Sequence, residues 1–279
     1  MTGKQRYFIE LAYDGTNYHG WQIQQNAVSV QGELNKALAT ILRQPVETTG
    51  CGRTDTGVHA REFFAHFDVE EVHGSLFIDH SKNKEEIPET SAMNHEPLTT
   101  NQQLSSKIRG LNSILPPDIA IKNIIPVDAG AHARFDATQR SYQYHIHFHK
   151  DPFLLGYSWQ VRDVPDLELM NQAAAIIIEY IDFSCFSKSN TQVKTNNCKI
   201  TRAEWVKTEQ GIVFHISADR FLRNMVRAIV GTLLMVGKGE ITPEAVRNII
   251  ESKNRSNAGT SVPACGLYLT EVKYSPLTP

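Results

Sequence analysis

The stretch Gly50-Cys51-Gly52-Arg53-Thr54-Asp55-Thr56-Gly57-Val58-His59-Ala60 gathers residue types that rarely meet without a reason. Its three glycines let the backbone turn sharply and approach a partner closely. They bracket a cation, Arg53, and a carboxylate, Asp55, two positions apart. Such a loop can hold one carboxylate in a fixed pose beside a substrate, where it acts as a nucleophile or a modest base once water is excluded. The plainer alternative is a tight turn carrying an Arg–Asp surface pair. The loop is no nucleotide fingerprint, because GxGxxG and GxxxxGK[ST] are both absent.

Cys51 lies in the same loop, but a nucleophilic cysteine needs a base and a low-pKa setting. His59 is eight positions on, across the turn, so Cys51 reads as a packing residue. His145, His147 and His149 alternate along one strand and could in principle bind zinc. Three imidazoles roughly 6–7 Å apart on a flat strand converge poorly, so a solvated or RNA-facing row is the preferred reading. The run Asp219-Arg220-Phe221-Leu222-Arg223-Asn224-Met225-Val226-Arg227 reads as the opening of a helix over 221–236. Arg220, Asn224 and Arg227 would share one side of it by i,i+3/i+4 spacing. A guanidinium on an otherwise apolar helix needs a partner, and Asp55 is the candidate for Arg227.

These residues need elements to position them. Residues 6–13 read as a strand ended by Asp14-Gly15, and 29–42 as an amphipathic helix with Ser29 as N-cap and Pro45 as its stop. Residues 63–67 alternate as a strand, 101–113 read as a helix, and 119–127 as a strand. A second unit begins near 130. It holds a strand at 141–149, a helix at 165–180 with Pro165 at its start, strands at 199–207 and 211–217, the 221–236 helix, a short helix after Thr242-Pro243, and a last strand at 266–274. The expected fold is therefore α+β: two related subdomains, 1–128 and 129–279, with mostly antiparallel sheets flanked by helices and a cleft between them.

With 279 residues the chain can bury a sizeable core without disulfide or metal support. Its four cysteines form no CxxC pair, which fits a reducing, cytoplasmic setting. The opening MTGKQRYFIELAYDG has no apolar run before a cleavage site, which argues against secretion, and no run approaches the roughly 18 apolar residues of a membrane span. The net charge of −2 does not advertise nucleic-acid binding. It hides an asymmetry, however. Residues 68–96 carry eight acidic side chains against two lysines, whereas 194–227 carry seven basic against three acidic. The first stretch reads as a polar surface excursion of the N-terminal subdomain, and the second permits a local basic face.

The loop GCGRTDTGVHA resembles the active-site signature of the TruA-type tRNA pseudouridine synthases. The resemblance extends to YDGTNYHGWQ at 13–22, RSYQY at 140–144, FLRNMVRAIVGTL at 221–233 and VPACGLYL at 262–269, in the family's order. It spans about residues 6–274, and the acidic 68–96 segment matches none of the family's motifs.

The resemblance implies an isomerase that breaks the N-glycosidic bond of a uridine in tRNA, turns the base and rejoins it through C5. No metal and no organic cofactor would take part. Asp55 would be the essential aspartate, by attack on the base, attack on the sugar or deprotonation of the ribose. Tyr142 would pack against the target base, an aromatic face suited to a flipped pyrimidine. Arg227 would pair with Asp55, Arg53 would engage the RNA as the base leaves its stack, and Leu267 would wall the pocket. Tyr144, Arg220 and Asn224 complete the substrate-binding set drawn from these motifs. The expected substrate site is the anticodon stem-loop, near positions 38–40, and the expected assembly is a homodimer. The main rival is a non-catalytic protein that binds structured RNA on the same scaffold; it leaves Asp55, Tyr142 and Arg227 without a task.

Overall fold

The computed structural model describes residues 4–70, 100–187 and 195–275. From residue 71 onward, the acidic excursion read from the sequence at 68–96 lies outside the described residues. The first half runs β1 (Lys4–Tyr13), α1 (Val30–Leu42), β2 (Thr49–Gly50), β3 (His59–Glu70), α2 (Thr100–Ile114) and β4 (Ile119–Val127). The second runs β5 (Ala137–His147), β6 (Trp159–Gln160), α3 (Leu167–Ile178), β7 (Ile200–Lys207), β8 (Gly211–Ala218), α4 (Met225–Gly237), α5 (Ala245–Glu251) and β9 (Leu267–Tyr274).

The α+β architecture has its strands joined into one nine-stranded sheet of order β4-β1-β3-β9-β5-β8-β7, with β2 beside β3 and β6 beside β5. The last strand makes the joint. β9 runs antiparallel to β5 and parallel to β3, through His59↔Tyr268 and Ala60↔Leu269. Two hydrophobic clusters meet along it: Leu269 and Val272 belong to the cluster of the first half, Leu267 to that of the second. The loops that precede both strands lie side by side there: a Cβ on Gly57 would sit 3.5 Å from the Ala264 Cβ.

Local chemistry sets the helix ends. Ser29 Oγ accepts the Gly32 N–H and starts α1, which buries Val30, Leu34, Ala37 and Leu38. Each fully buried leucine contributes roughly 1.5–3 kcal/mol. The helix stops at Arg43, in the left-handed region at φ 55°, two residues ahead of Pro45. Asp166 Oδ1 accepts the Glu168 and Leu169 N–H groups at 3.0 Å, so α3 begins after Pro165 rather than on it.

Two expectations need correction. The helix read from 221 starts at Met225, because Asn224 sits at φ 66° and breaks right-handed geometry ahead of it. Arg220 and Asn224 therefore do not share a helix side with Arg227. Nor do the alternate histidines form a solvated row. β5 ends at His147, which is buried; His145 is half-buried and packs edge-on against Tyr268 of the adjacent β9 at 5.0 Å, and only His149, beyond the strand, is exposed. Among the described residues no cluster of His, Cys, Asp and Glu could hold a metal ion, and no helix is long and apolar enough to cross a membrane.

Candidate active site

Asp55 stands on the loop between β2 and β3, where the chain must pass from the first core to the joint with β9. The 13–22 segment braces this loop from below. Trp21 N donates to Thr54 O at 3.3 Å, Gly57 N donates to Tyr18 O at 3.3 Å, and the Tyr13 and Thr54 hydroxyls lie 2.8 Å apart. Gly20 is obligatory in this contact: it sits at φ 84°, and a Cβ there would lie 2.3 Å from Thr54 O. Trp21 in turn stacks on Phe63 with centroids 4.1 Å apart, which anchors the brace in the core. A bond from Val58 N to Asp55 O at 3.1 Å closes the turn and leaves the Asp55 carboxylate 28% exposed.

Two cations from the second half face that carboxylate. Arg227 Nη1 lies 3.8 Å from Oδ2, and Arg223 Nε 3.7 Å from Oδ1. Arg227 is 21% exposed and held firmly: its Nε donates to Val262 O at 2.7 Å, and Val262 N donates to Arg227 O at 3.2 Å. The 258–262 strand-like segment that supplies Val262 lies directly on α4, because Gly231 has no side chain; a Cβ there would meet Thr260 O at 1.9 Å. Arg223 is 62% exposed and reaches in from the turn before the helix.

Tyr142 of β5 forms the next wall. It is half-buried and packs edge-on against Phe221, centroids 5.1 Å apart. Burial, together with the neighbouring Cys51 and Asp55, pushes its phenol well above the ordinary tyrosine value, against the weaker pull of Arg140. It is a neutral hydroxyl at physiological pH. Cys51 is buried, its N–H donates to Phe64 O at 2.7 Å, and burial pushes its thiol up to about 12. A buried thiol held in its neutral form is a poor nucleophile at neutral pH. His59 is committed to structure as well: its ring sits between the Gly15 N–H and the carbonyls of Gly156 and Cys265.

The remaining sequence candidates fall into two groups. Arg53 is exposed and Arg220 half-buried, both on segments that border the Asp55 loop. Leu267 and Tyr144 lie behind the site: Tyr144 is fully buried, with its hydroxyl donated to Pro263 O at 2.8 Å, and Leu267 is its cross-strand neighbour. Asn224 points its amide at the Ser261 hydroxyl, tying the start of α4 to the segment that holds Arg227. Sequence reasoning missed Arg223, whose only signal is its place four residues before Arg227. It also missed a role for Arg140, whose bonds are all to backbone and leave no sequence pattern.

A partly buried carboxylate is thus faced by two guanidiniums, with a tyrosine as the next wall, on a joint between two α+β halves. The profile of the tRNA pseudouridine synthase family matches residues 180–275. The tRNA pseudouridine synthase A of Bacteroides thetaiotaomicron is 50% identical over 273 residues, covering 97% of this chain and 91% of that protein. That of Parabacteroides distasonis is 47% identical over 270 residues, covering 97% and 96%. That of Clostridium acetobutylicum is 37% identical over 268 residues, covering 95% and 98%. The chain belongs to the tRNA pseudouridine synthase family. As a pseudouridine synthase it is an isomerase acting on tRNA, and its fold is that of the family. The synthase carries the Asp55 loop in its first half and both facing arginines in its second, so the candidate site spans the joint.

Proposed function

We propose that this synthase isomerises uridine to pseudouridine in the anticodon stem-loop of tRNA, at positions 38–40, with Asp55 as the essential carboxylate. The observation that carries the reading is the placement of Asp55 on a braced loop at the joint, with Arg227 and Arg223 3.8 and 3.7 Å from its two oxygens. These separations are longer than a hydrogen bond. The cations therefore face the carboxylate without occupying its lone pairs, which stay available to the nucleoside.

In the reaction the N1–C1′ bond breaks, the uracil turns, and a C5–C1′ bond forms. The C5 proton is lost and N1 ends protonated, so the isomerisation consumes no redox equivalent. Asp55 supplies the anionic oxygen near C1′ or the base. Tyr142 offers its ring to the flipped uracil, and its raised phenol pKa makes the hydroxyl a donor rather than a ready phenolate base. Arg227 presents a fixed positive charge to Asp55 from across the joint. Arg53, Arg220 and Asn224 border the entry, and Leu267 and Tyr144 support the pocket from the core.

The reading includes a homodimer in the cytoplasm, with subdomains 1–128 and 129–279. Carbodiimide mapping of an anticodon stem-loop incubated with the enzyme tests it. Pseudouridine stops confined to 38–40 support the proposal, and modification elsewhere contradicts the assigned region.

A further inference from the structure

Arg140 lies two residues before Tyr142 on β5, and its guanidinium donates to four backbone carbonyls. Nη1 reaches Ala137 O at 2.9 Å and Asp219 O at 2.8 Å; Nη2 reaches Cys51 O at 2.9 Å and Arg134 O at 2.6 Å. Three of these acceptors belong to segments far apart in the chain: the loop that leads to Asp55, the 128–136 loop, and the turn before α4. Each of the three carries an arginine at or beside the bonded carbonyl. Arg53 follows Cys51 by two residues, Arg134 is itself bonded, and Arg220 follows Asp219.

The charges so gathered are not paired with any described carboxylate. None of the four arginines forms an ion pair with a described residue. After burial, the like charges of Arg53, Arg140 and Arg220 are what lower the Arg134 pKa, which places the four within electrostatic reach of one another. Like charges assembled this way are unfavourable alone and favourable around an anion.

An aromatic side chain stands at the edge of the cluster. Phe135 is 74% exposed, packs its ring on His132 with centroids 4.2 Å apart, and lies 5.8 Å from the Arg134 guanidinium. The loop beneath it is well tied. His132 Nδ1 accepts the Arg134 and Phe135 N–H groups at 3.1 and 3.3 Å, His132 N donates to Asp136 Oδ2 at 2.7 Å, and Ala133 N donates to His66 Nδ1 at 3.1 Å. An apolar ring held out to solvent on a fixed backbone is a stacking surface.

We infer that Arg53, Arg134 and Arg220, gathered by Arg140, form a subsite for phosphodiesters of the RNA strand beside the target uridine, with Phe135 stacking on a neighbouring base. Arg140 is the positioning residue, because its four Nη donors are spent on carbonyls. The inference rests on the proposal that the target uridine docks at Asp55.

The test measures binding of an anticodon stem-loop RNA against salt, alongside steady-state kinetics, for Arg134→Gln, Phe135→Ala and Arg140→Lys. Arg134→Gln is expected to weaken binding roughly tenfold, to make the log K against log[salt] slope shallower by about 0.7–0.9, and to raise KM with kcat nearly intact. Phe135→Ala is expected to weaken binding roughly tenfold without altering the slope. Arg140→Lys keeps the charge but cannot span four carbonyls, so it is expected to lose as much affinity as Arg134→Gln. Because Arg134 and Phe135 are exposed, their variants stay interpretable even if Arg140→Lys fails to fold. Unchanged affinity and slope in Arg134→Gln, with unchanged affinity in Phe135→Ala, would overturn the subsite. An active Asp55→Asn enzyme with these binding losses intact would instead overturn the catalytic reading and leave the phosphate contacts standing.

Discussion

Arg227 meets Asp55 across the joint between the two halves, with Nη1 3.8 Å from Oδ2 while its Nε is spent on Val262 O at 2.7 Å. One end of the guanidinium is thus anchored to the segment leading into β9, and the other end presents charge to a carboxylate carried by the opposite half. Arg223 adds a second charge at 3.7 Å but from a far more exposed position. The two cations are therefore unequal. The half-buried one is screened less by solvent and has a fixed geometry, so it contributes more.

Arg227→Met should lower kcat by about a hundredfold or more, the loss typical of removing a preorganised charge at a reacting centre. Arg223→Met should cost less than about tenfold. Single-turnover rates at saturating RNA separate the two. Equal losses would mean that exposure does not discriminate between these arginines.

Tyr142 separates two contributions by substitution. Tyr142→Phe keeps the face that stacks and packs on Phe221; Tyr142→Ala removes both face and hydroxyl. If stacking dominates, the alanine variant should lose at least about 1–3 kcal/mol more than the phenylalanine variant in RNA-dependent kcat/KM. Matching losses in the two would assign the effect to the hydroxyl.

The histidines set an acid limit on stability. His66 is pushed down to about 4 by burial and then by the charges of Arg6 and His132, with Asp68 and Asp136 opposing. His145 is pushed down to about 4 by burial and then by Arg61, His215 and His59. Both values lie below the ordinary histidine pKa of about 6.5. Between about pH 6.5 and pH 4 the unfolded chain therefore binds more protons than the folded one. Stability must rise with pH through that window and fall on acidification, by at most about 1.4 kcal/mol per pH unit for each group. Protonating His66 also removes the acceptor that holds Ala133 N. Urea midpoints at pH 7.5, 5.5 and 4.5 check this: the parent should lose stability steeply, and a His66→Asn/His145→Asn double variant less so. A flat profile for the parent would contradict the burial argument.

How far the sequence could be read depended on whether a feature was local. Strand and helix cores declared themselves by period, and Asp55 by the glycines of its loop, of which Gly57 takes a left-handed φ of 75° and Gly50 leaves room for the Trp21 and Phe63 rings. Helix starts were less legible. The apolar run at 221–236 looks helical from its first residue, and only the left-handed backbone at Asn224 moves the start to Met225. The histidine row alternates as a solvated face would, yet His147 is buried and His145 packs against Tyr268 of β9, a strand distant in sequence. The joining of both halves into one sheet through His59↔Tyr268 is a long-range pairing that no local pattern encodes. Arg140 is the clearest omission: three of its four carbonyl acceptors, on Cys51, Arg134 and Asp219, lie in three separate segments, and no local pattern around Arg140 encodes them.

The central claim is that the Asp55 carboxylate performs the chemistry while the surrounding cations and aromatic rings bind the RNA. Asp55→Asn keeps the size and removes the charge, so one pair of measurements tests it most directly: single-turnover pseudouridine formation and equilibrium RNA affinity on the same preparation. The account predicts no detectable pseudouridine with affinity within about threefold of the parent, since binding here rests chiefly on contacts to phosphate and base rather than on one carboxylate. Pseudouridine formed at a rate within tenfold of the parent would contradict it.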